Sequence, residues 1–218
     1  MPVTSGENAI IEKYSIGDKA PDFKNYDLVF AGGGADQEQS ILAKDLIKYK
    51  DNIKEAVNNG VFFLLICGAY QLFGKYYKGV EGNIIPGLEI FNYYTEAIEN
   101  RKKRCIGNIV IEANLNGEKT KIIGFENHGG QTFDIDTPFG DVLFGNGNKF
   151  GDSKEGFFLK NVIATYLHGP LLSKNPELAD YIISHCLNRK YNEEIKLEPL
   201  NDDFENLCRK QLLDNFLN

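Results

Sequence analysis

The chain of 218 residues lacks the features that would mark a membrane, secreted or nucleic-acid-binding protein. No apolar run reaches the ~18–20 residues that span a bilayer; the longest, around Val61–Ile66, has the length of a strand. The first twenty residues contain neither a basic nor an apolar signal region, so no signal peptide is expected. The net charge of −7 leaves no excess of Lys and Arg for nucleic acid phosphates. We therefore expect a cytoplasmic protein without direct membrane insertion.

The four cysteines form no C-x-x-C pair, and their spacings match no zinc template. In a cytosolic protein, reduced thiols are expected rather than disulfides. We expect Cys105, Cys186, Cys208 and His185 to be structural. The sequence also contains no Walker loop and no recognisable metal cluster, so no cofactor is expected in this chain.

The first half of the chain alternates between strand and helix patterns, in a composition with 42% hydrophobic and 25% charged residues. The expected order is a strand at Tyr26–Ala31, a helix over Asp36–Asn58 ended by Asn59-Gly60, a fully buried strand at Val61–Ile66, and a helix over Ala69–Tyr77. This order predicts a parallel βαβ unit. We expect a doubly wound α/β sheet with helices on both faces.

From about Pro86 the pattern changes to short strands separated by turn residues, which predicts a mixed or antiparallel part of the sheet. The expected short strands are Gly107–Ala113, Thr120–Phe125, Thr132–Asp134 and Asp141–Phe144. Another buried strand is expected at Asn161–Tyr166. Near the N-terminus, Ala9–Glu12 could form a short strand. Two amphipathic helices follow at Pro176–Leu187 and Phe204–Leu217. Without repeats or an obvious linker, residues 1–218 are expected to form a single domain.

Cys67 directly follows the buried strand and precedes Gly68 and a helix. A nucleophile on such an elbow is exposed at the carboxyl edge of the sheet, and the helix N-terminus favours its thiolate. The alternative is a buried structural cysteine at a strand end.

His168 ends another expected strand, in the sequence TYLHGP. The carboxyl ends of neighbouring parallel strands converge on one crevice, so Cys67 and His168 are predicted to meet as nucleophile and base. The alternative for His168 is a structural hydrogen-bonding role. The loop Gly32-Gly33-Gly34 also follows a strand, and its backbone amides could stabilise an anion or a tetrahedral intermediate.

Three motifs carry a resemblance to a known family. The segments CGAYQ (67–71), GFENHGG (124–130) and TYLHGP (165–170) are similar to class I glutamine amidotransferases of the cobyric-acid-synthase type. Between about Tyr26 and Ile183 the resemblance is closest to the GatD branch, the glutaminase subunits of lipid II isoglutaminyl synthases. Six ordered blocks carry it: YDLVFAGGGADQEQ, ICGAYQLFGKYY, GLEIFNYYTE, RCIGNIVIE, GFENHGGQTF and TYLHGPLLSKNP.

The resemblance implies a catalytic mechanism. Cys67 would attack the side-chain amide of glutamine to form a γ-glutamyl thioester, and His168 would act as base and then as acid toward the leaving ammonia. The amides of Gly68 and of Gly33 or Gly34 would line the oxyanion hole.

The resemblance also implies a set of substrate contacts. Arg104 matches the arginine that binds the carboxylate of glutamine, although Arg101 lies only three residues away. Gln71 and the backbone of Asn127-His128-Gly129 are expected to be secondary contacts. The alternatives are a solvated charge for Arg104 and a loop or structural histidine for His128.

By the same resemblance, ammonia would pass to a Mur-ligase-like partner, MurT, in a heterodimer. That partner would bind ATP and Mg²⁺ and amidate the D-glutamate of the lipid II stem peptide. Two alternatives stay open: a stand-alone cysteine amidase or γ-glutamyl hydrolase, and a non-catalytic scaffold subunit.

The sequence departs from the family pattern in three places. Pro170 stands where many class I glutaminases have a glutamate, so a Cys–His dyad without an identified third group is expected. Ala69 stands where the wider class has glycine. The N-terminus lacks a strand–helix unit of the family, which is expected to leave a sheet edge or an apolar face uncovered.

Overall fold

A computed structural model describes residues 9–19, 21–34 and 36–217. In this part of the chain the strands are β1 (Leu28–Ala31), β2 (Phe62–Ile66), β3 (Tyr76–Lys78), β4 (Ile84–Pro86), β5 (Tyr94–Ala97), β6 (Cys105–Leu115), β7 (Glu118–His128), β8 (Gly130–Phe133), β9 (Gly140–Phe144), β10 (Lys154–Glu155), β11 (Phe157–Leu159) and β12 (Val162–Thr165). The α-helices are α1 (Asp36–Leu46), α2 (Lys50–Asn58), α3 (Gly68–Phe73), α4 (Leu171–Lys174), α5 (Pro176–Tyr191) and α6 (Asp203–Leu217).

The central sheet has the order β1-β2-β12-β11, in which β1, β2 and β12 are parallel and β11 is antiparallel. Strand β2 lies between β1 and β12, and all five of its side chains are buried. Its last residue, Ile66, pairs with Thr165 at the end of β12. The register therefore brings the residues that follow these two strands to one edge of the sheet.

Helices cover both faces of this sheet, as the sequence predicted. Successive β2 side chains point to opposite faces, so they contribute to two separate core clusters. Phe63 and Leu65 belong to a core cluster that includes side chains of α2 and α3. Phe62, Leu64 and Ile66 belong to a second cluster with side chains of α5 and β6. Burial of each large apolar side chain contributes about 1.5–3 kcal/mol, so β2 is fixed from both sides.

The remaining strands form two separate four-stranded sheets, with the orders β10-β9-β6-β7 and β4-β3-β5-β8. Strands β6 and β7 form a long antiparallel hairpin in which Cys105 pairs with His128 and Leu115 pairs with Glu118. The strands predicted at Gly107–Ala113, Thr120–Phe125, Thr132–Asp134 and Asp141–Phe144 are thus present and antiparallel, but they form separate sheets, whereas the predicted strand at Asn161–Tyr166 is β12 of the central sheet. An isolated bridge between Phe125 and His168 ties the hairpin to the end of β12.

The structure differs from the sequence prediction at three elements. The expected strand at Ala9–Glu12 is wrong, since these residues have no regular structure. The expected long helix is divided into α1 and α2 by a 3₁₀ turn at Ile47–Tyr49.

The helix after Cys67 is shorter than predicted and ends at Phe73. The next residue, Gly74, is extended, and its backbone lies so close to Tyr93 that a Cβ there would be 2.6 Å from the Tyr93 carbonyl oxygen. The Lys75 amide then donates to the same carbonyl at 2.8 Å. This contact with a residue distant in sequence turns the chain into β3.

Strand β1 lies at one edge of the central sheet and carries exposed apolar side chains. Leu28 is 39% exposed and Phe30 is 64% exposed.

Among the described helices, none combines the length and the apolar character that a bilayer crossing requires.

Candidate active site

Cys67 occupies a strained turn between β2 and α3. Its backbone has φ 54° and ψ −107°, a conformation that costs a non-glycine residue free energy and is found mainly at functional sites. The Cys67 amide donates to the Thr165 carbonyl at 2.9 Å, and its own carbonyl accepts from the Gln71 amide at 3.0 Å. These bonds hold the turn on β12 and α3, and the half-buried thiol lies at the carboxyl edge of the sheet.

The triple-glycine loop packs directly against this turn. A Cβ at Gly33 would lie 2.9 Å from Cys67 Cβ and 3.4 Å from both Cys67 Sγ and the Gly68 amide nitrogen. Only glycine permits this close approach, because any side chain would displace the cysteine. Gly34 lies one residue further from the cysteine and contacts the side chain of Glu38.

Gln39 on α1 joins the glycine loop to the turn, a role that no local sequence pattern indicates. Its Nε2 donates to the Gly34 carbonyl at 3.0 Å and lies 2.7 Å from the position that a Cβ at Gly68 would occupy. Gln39 is buried, and its Oε1 has no hydrogen-bond partner among the described residues. A cavity of about 160 Å³ opens here and reaches Gly33 and Gly68.

His168 lies three residues beyond the end of β12 and is half-buried. Its amide donates to the Phe125 carbonyl at 2.8 Å, and its Nδ1 lies 3.0 Å from the same oxygen. A carbonyl oxygen only accepts, so Nδ1 carries the proton and Nε2 holds the lone pair of the neutral ring. The Phe125 carbonyl thus orients the histidine, a role for which the sequence offered no third residue.

Arg104 reaches across to the end of β7. Its Nη2 donates to Asn127 Oδ1 at 3.3 Å, and a Cβ at Gly129 would lie 2.9 Å from its Nη1. The structure therefore brings together two of the predicted glutamine contacts, Arg104 and Asn127. Arg101 lies in an exposed 3₁₀ turn before it.

A buried hydrogen-bonded network supports the floor of the site. Gln71 Nε2 donates to the Tyr166 hydroxyl at 3.2 Å, and that hydroxyl shares a 2.6 Å hydrogen bond with Thr132. The His128 ring stacks on Tyr166 with centroids 3.6 Å apart. His128 is only 3% exposed, and burial lowers its pKa to about 4. Its side chain thus lies behind the site, and a contact with glutamine through the backbone around it stays a prediction.

Glu155 is a second buried group that sequence reasoning missed. Its carboxylate accepts from Thr165 Oγ1 at 2.9 Å and from the Tyr166 amide at 2.7 Å, so it holds the segment that leads to His168. Burial raises the pKa of Glu155 to about 8, and the hydrogen bonds only partly oppose this effect. No sequence signal marks it, because its burial depends on β10 meeting the end of β12.

The geometry combines a thiol on a strained turn, an oriented histidine just beyond the end of the neighbouring strand, and glycine amides beside the thiol. Together with the α/β sheet covered by helices on both faces, this arrangement is that of a class I glutamine amidotransferase. The family comparison agrees. The chain belongs to the CobB/CobQ-like glutamine amidotransferase domain family, whose model matches residues 6–176.

Curated relatives refine this assignment. The chain is 44% identical over 192 residues to the lipid II isoglutaminyl synthase (glutamine-hydrolyzing) subunit GatD of Staphylococcus aureus strain N315, covering 88% of this chain and 75% of that protein. It is 42% identical over 183 residues to the GatD subunit of Streptococcus pneumoniae, covering 83% and 69%. A probable cobyric acid synthase of Methanococcus vannielii is 31% identical over 169 residues, covering 73% of this chain and 32% of that protein.

A solved glutamine amidotransferase structure also matches the fold. It has a TM-score of 0.53 at 15% identity and covers 73% of this chain and 79% of its own. The predicted fold class and the predicted kinship with glutamine amidotransferases are thus confirmed.

Alkylation should distinguish the four thiols. Burial raises the pKa of Cys105 to about 11 and that of Cys186 to about 12, whereas Cys208 is exposed. We expect iodoacetamide at neutral pH to modify Cys67 roughly tenfold faster than Cys208, because Cys67 directly precedes the N-terminus of α3, which favours its thiolate. Peptide mapping by mass spectrometry over time measures both rates. Faster labelling of Cys208 would contradict the elbow assignment.

The raised pKa of Glu155 should make the stability of the folded protein depend on pH. Since its pKa is raised in the folded state, the native protein keeps a proton that the unfolded chain loses, and stability falls as pH rises from about 4.5 to about 8. Glu155→Gln keeps both hydrogen bonds without the charge. Between pH 5 and pH 8, wild type should lose on the order of 3 kcal/mol relative to this variant.

Urea unfolding at four pH values, followed by circular dichroism, measures this difference. Glu194→Gln, at an exposed position, is the matched control and should follow wild type. Parallel pH curves for wild type and Glu155→Gln would show that Glu155 does not carry the effect.

Proposed function

We propose that this chain is a glutaminase subunit that hydrolyses L-glutamine through Cys67 and His168 and supplies ammonia to a partner. One observation carries the proposal above the others: the strained Cys67 turn is hydrogen-bonded to the end of β12, the strand that leads to His168. A structural cysteine has no need of this backbone conformation.

In the proposed reaction, Cys67 Sγ attacks the γ-amide carbon of glutamine. His168 Nε2 takes the thiol proton and returns it to the leaving nitrogen, so the C–N bond breaks and ammonia departs. Water then hydrolyses the γ-glutamyl thioester to glutamate and restores the thiol. The Nδ1–H bond to the Phe125 carbonyl keeps Nε2 as the basic nitrogen throughout.

The oxyanion that forms during attack is proposed to lie between the Gly68 amide and the glycine loop. The Gly68 amide begins α3 directly after the nucleophile, and Gly33 packs on it and on Cys67. Gln39 fixes the loop through the Gly34 carbonyl, which keeps the amides in place before substrate binds.

Arg104 is the proposed ligand of the α-carboxylate of glutamine. Its guanidinium is exposed but anchored to Asn127, which restricts it to the end of β7 near the histidines. The planar fork of arginine matches a carboxylate in two parallel hydrogen bonds. Gln71 and the amides around His128 are proposed secondary contacts.

The partner is proposed to be a Mur-ligase-like subunit, MurT, in a cytoplasmic heterodimer. The two most similar relatives described above are named subunits of lipid II isoglutaminyl synthase, and this name supports the proposal. The partner would bind ATP and Mg²⁺, activate the D-glutamate carboxyl of the lipid II stem peptide, and receive the ammonia.

Ammonia release from L-glutamine tests the proposal. The wild-type chain, co-expressed with the Mur-ligase-like subunit, should release ammonia at a rate that depends on this partner. Cys67→Ala should abolish release, and His168→Gln should lower it roughly 10²–10⁴-fold, while both variants keep their circular dichroism. Cys208→Ala is the matched control and should keep wild-type activity.

Three outcomes would contradict the proposal. Activity in Cys67→Ala would remove the nucleophile assignment. Equal activity without the partner would indicate a stand-alone amidase. A stable complex without glutaminase activity would indicate a scaffold subunit.

Substitutions of the two neighbouring arginines, Arg104 and Arg101, should affect the KM for glutamine differently. Arg104→Lys should raise the KM for glutamine about tenfold or more with little change in kcat, because lysine cannot form the two-point contact with the carboxylate. Arg101→Lys is the matched control and should leave KM unchanged. The reverse result in steady-state kinetics would assign the carboxylate to Arg101.

A further inference from the structure

Three potential metal ligands lie together on the inner face of the β6–β7 hairpin: Cys105, Glu126 and His128, here called the hairpin cluster. The antiparallel register pairs Cys105 with His128 and Gly107 with Glu126. Side chains two residues apart on a strand share a face, so this register places all three on the same side. All three are buried, and their potential ligand atoms lie within 4.8 Å of one another.

His128 presents an unpaired nitrogen in this buried region. Its Nδ1 lies 2.7 Å from the Gly130 carbonyl oxygen, so Nδ1 carries the proton and Nε2 holds a lone pair. Nε2 is buried and has no hydrogen-bond partner among the described residues. A metal-binding histidine has the same arrangement, in which a carbonyl fixes one nitrogen and the other binds the ion.

The other two side chains are also held by neighbouring donors. Glu126 Oε1 accepts from the amide of Asn146 at 2.9 Å and from its side chain at 2.6 Å, while Oε2 accepts from the Gly147 amide at 3.1 Å. Cys105 Sγ accepts a weak hydrogen bond from Gln131 Nε2 at 3.8 Å. Carboxylate oxygens have further lone pairs, so these bonds orient the ligands without saturating them.

We propose that the hairpin cluster binds one Zn²⁺ ion through Cys105 Sγ, a Glu126 carboxylate oxygen and His128 Nε2. Sulfur, nitrogen and oxygen ligands in this combination suit zinc, which binds them at about 2.0–2.3 Å. Tetrahedral coordination at these lengths separates ligand atoms by about 3.3–3.8 Å. The side chains must therefore draw together by about 1 Å.

Charge and space are consistent with this ion. A thiolate and a carboxylate together neutralise Zn²⁺, which a buried site requires. Gly107 carries no side chain opposite Glu126, and a Cβ there would have no heavy atom within 4 Å. No side chain fills the space at this position of the hairpin.

The sequence analysis expected Cys105 to be structural and expected no metal ligands in this chain. The cluster escapes sequence templates because its ligands are 21 and 2 residues apart and meet only through the hairpin register. The proposal does not depend on the glutaminase chemistry, since none of the three groups is assigned a step in it. An ion here would fix the β6–β7 hairpin, whose Phe125 carbonyl orients His168.

Cobalt binding tests the proposal, because Co²⁺ replaces Zn²⁺ and gives a thiolate-to-metal charge-transfer absorption. The full chain, stripped with EDTA, is titrated with Co²⁺ and then with competing Zn²⁺. Cys67→Ala serves as the reference protein, since it removes the thiol of the active site. We expect one equivalent of Co²⁺ with a thiolate band, displaced by Zn²⁺.

Cys67→Ala/Cys105→Ser should lose the thiolate band and bind Zn²⁺ at least tenfold more weakly. Cys67→Ala/Cys208→Ser, which removes an exposed thiol, is the matched control and should retain both. X-ray absorption at the zinc edge of the Cys67→Ala protein supplies a readout that needs no further variant, and one sulfur ligand is expected. Absence of the band from Cys67→Ala, its persistence without Cys105, or a zinc environment without sulfur would overturn the proposal.

Discussion

Strand β2 is the element on which the active site depends. Its five side chains are buried on both faces, and both of its edges are paired, with β1 and β12. A strand fixed in this way can end in an unfavourable backbone conformation, because the packing of Phe62–Ile66 offsets the local cost at Cys67. The core therefore supports the strain at the proposed nucleophile.

The same constraint positions the histidine. Thr165 pairs with Ile66, and its carbonyl oxygen accepts from the Cys67 amide, so β12 ends beside the Cys67 turn. The hairpin then contributes through Phe125, whose carbonyl accepts from His168 Nδ1. A neutral carbonyl oxygen takes the orienting position that a carboxylate has in many related sites, and Pro170 is compatible with this arrangement.

Buried polar groups support the segment that leads to His168. Glu155 holds the backbone at Tyr166, and Tyr166 connects Gln71, Thr132 and the His128 ring. Unpaired buried polar groups are costly, so such a network stabilises only when its members are in place. It therefore favours one arrangement of the residues that precede His168.

The apolar runs predicted β2 and β12 because buried parallel strands are recognisable by composition. Cys67 directly follows β2, and His168 lies three residues beyond the end of β12. Other features depend on contacts between distant residues. The end of α3 requires Tyr93 against Gly74, and the burial of Glu155 requires β10 beside β12. Gln39 and the hairpin cluster likewise depend on tertiary packing and on strand register. Local sequence patterns do not predict contacts between residues that are distant in the sequence.

Trapping the covalent intermediate tests the proposed role of Cys67 as nucleophile most directly. The complex with the Mur-ligase-like subunit is mixed with L-glutamine, quenched in acid during turnover, and digested for peptide mass spectrometry. A γ-glutamyl thioester on Cys67 is expected, and it should disappear after glutamine is exhausted. A γ-glutamyl adduct on another residue, or turnover without any adduct on Cys67 under these conditions, would contradict it.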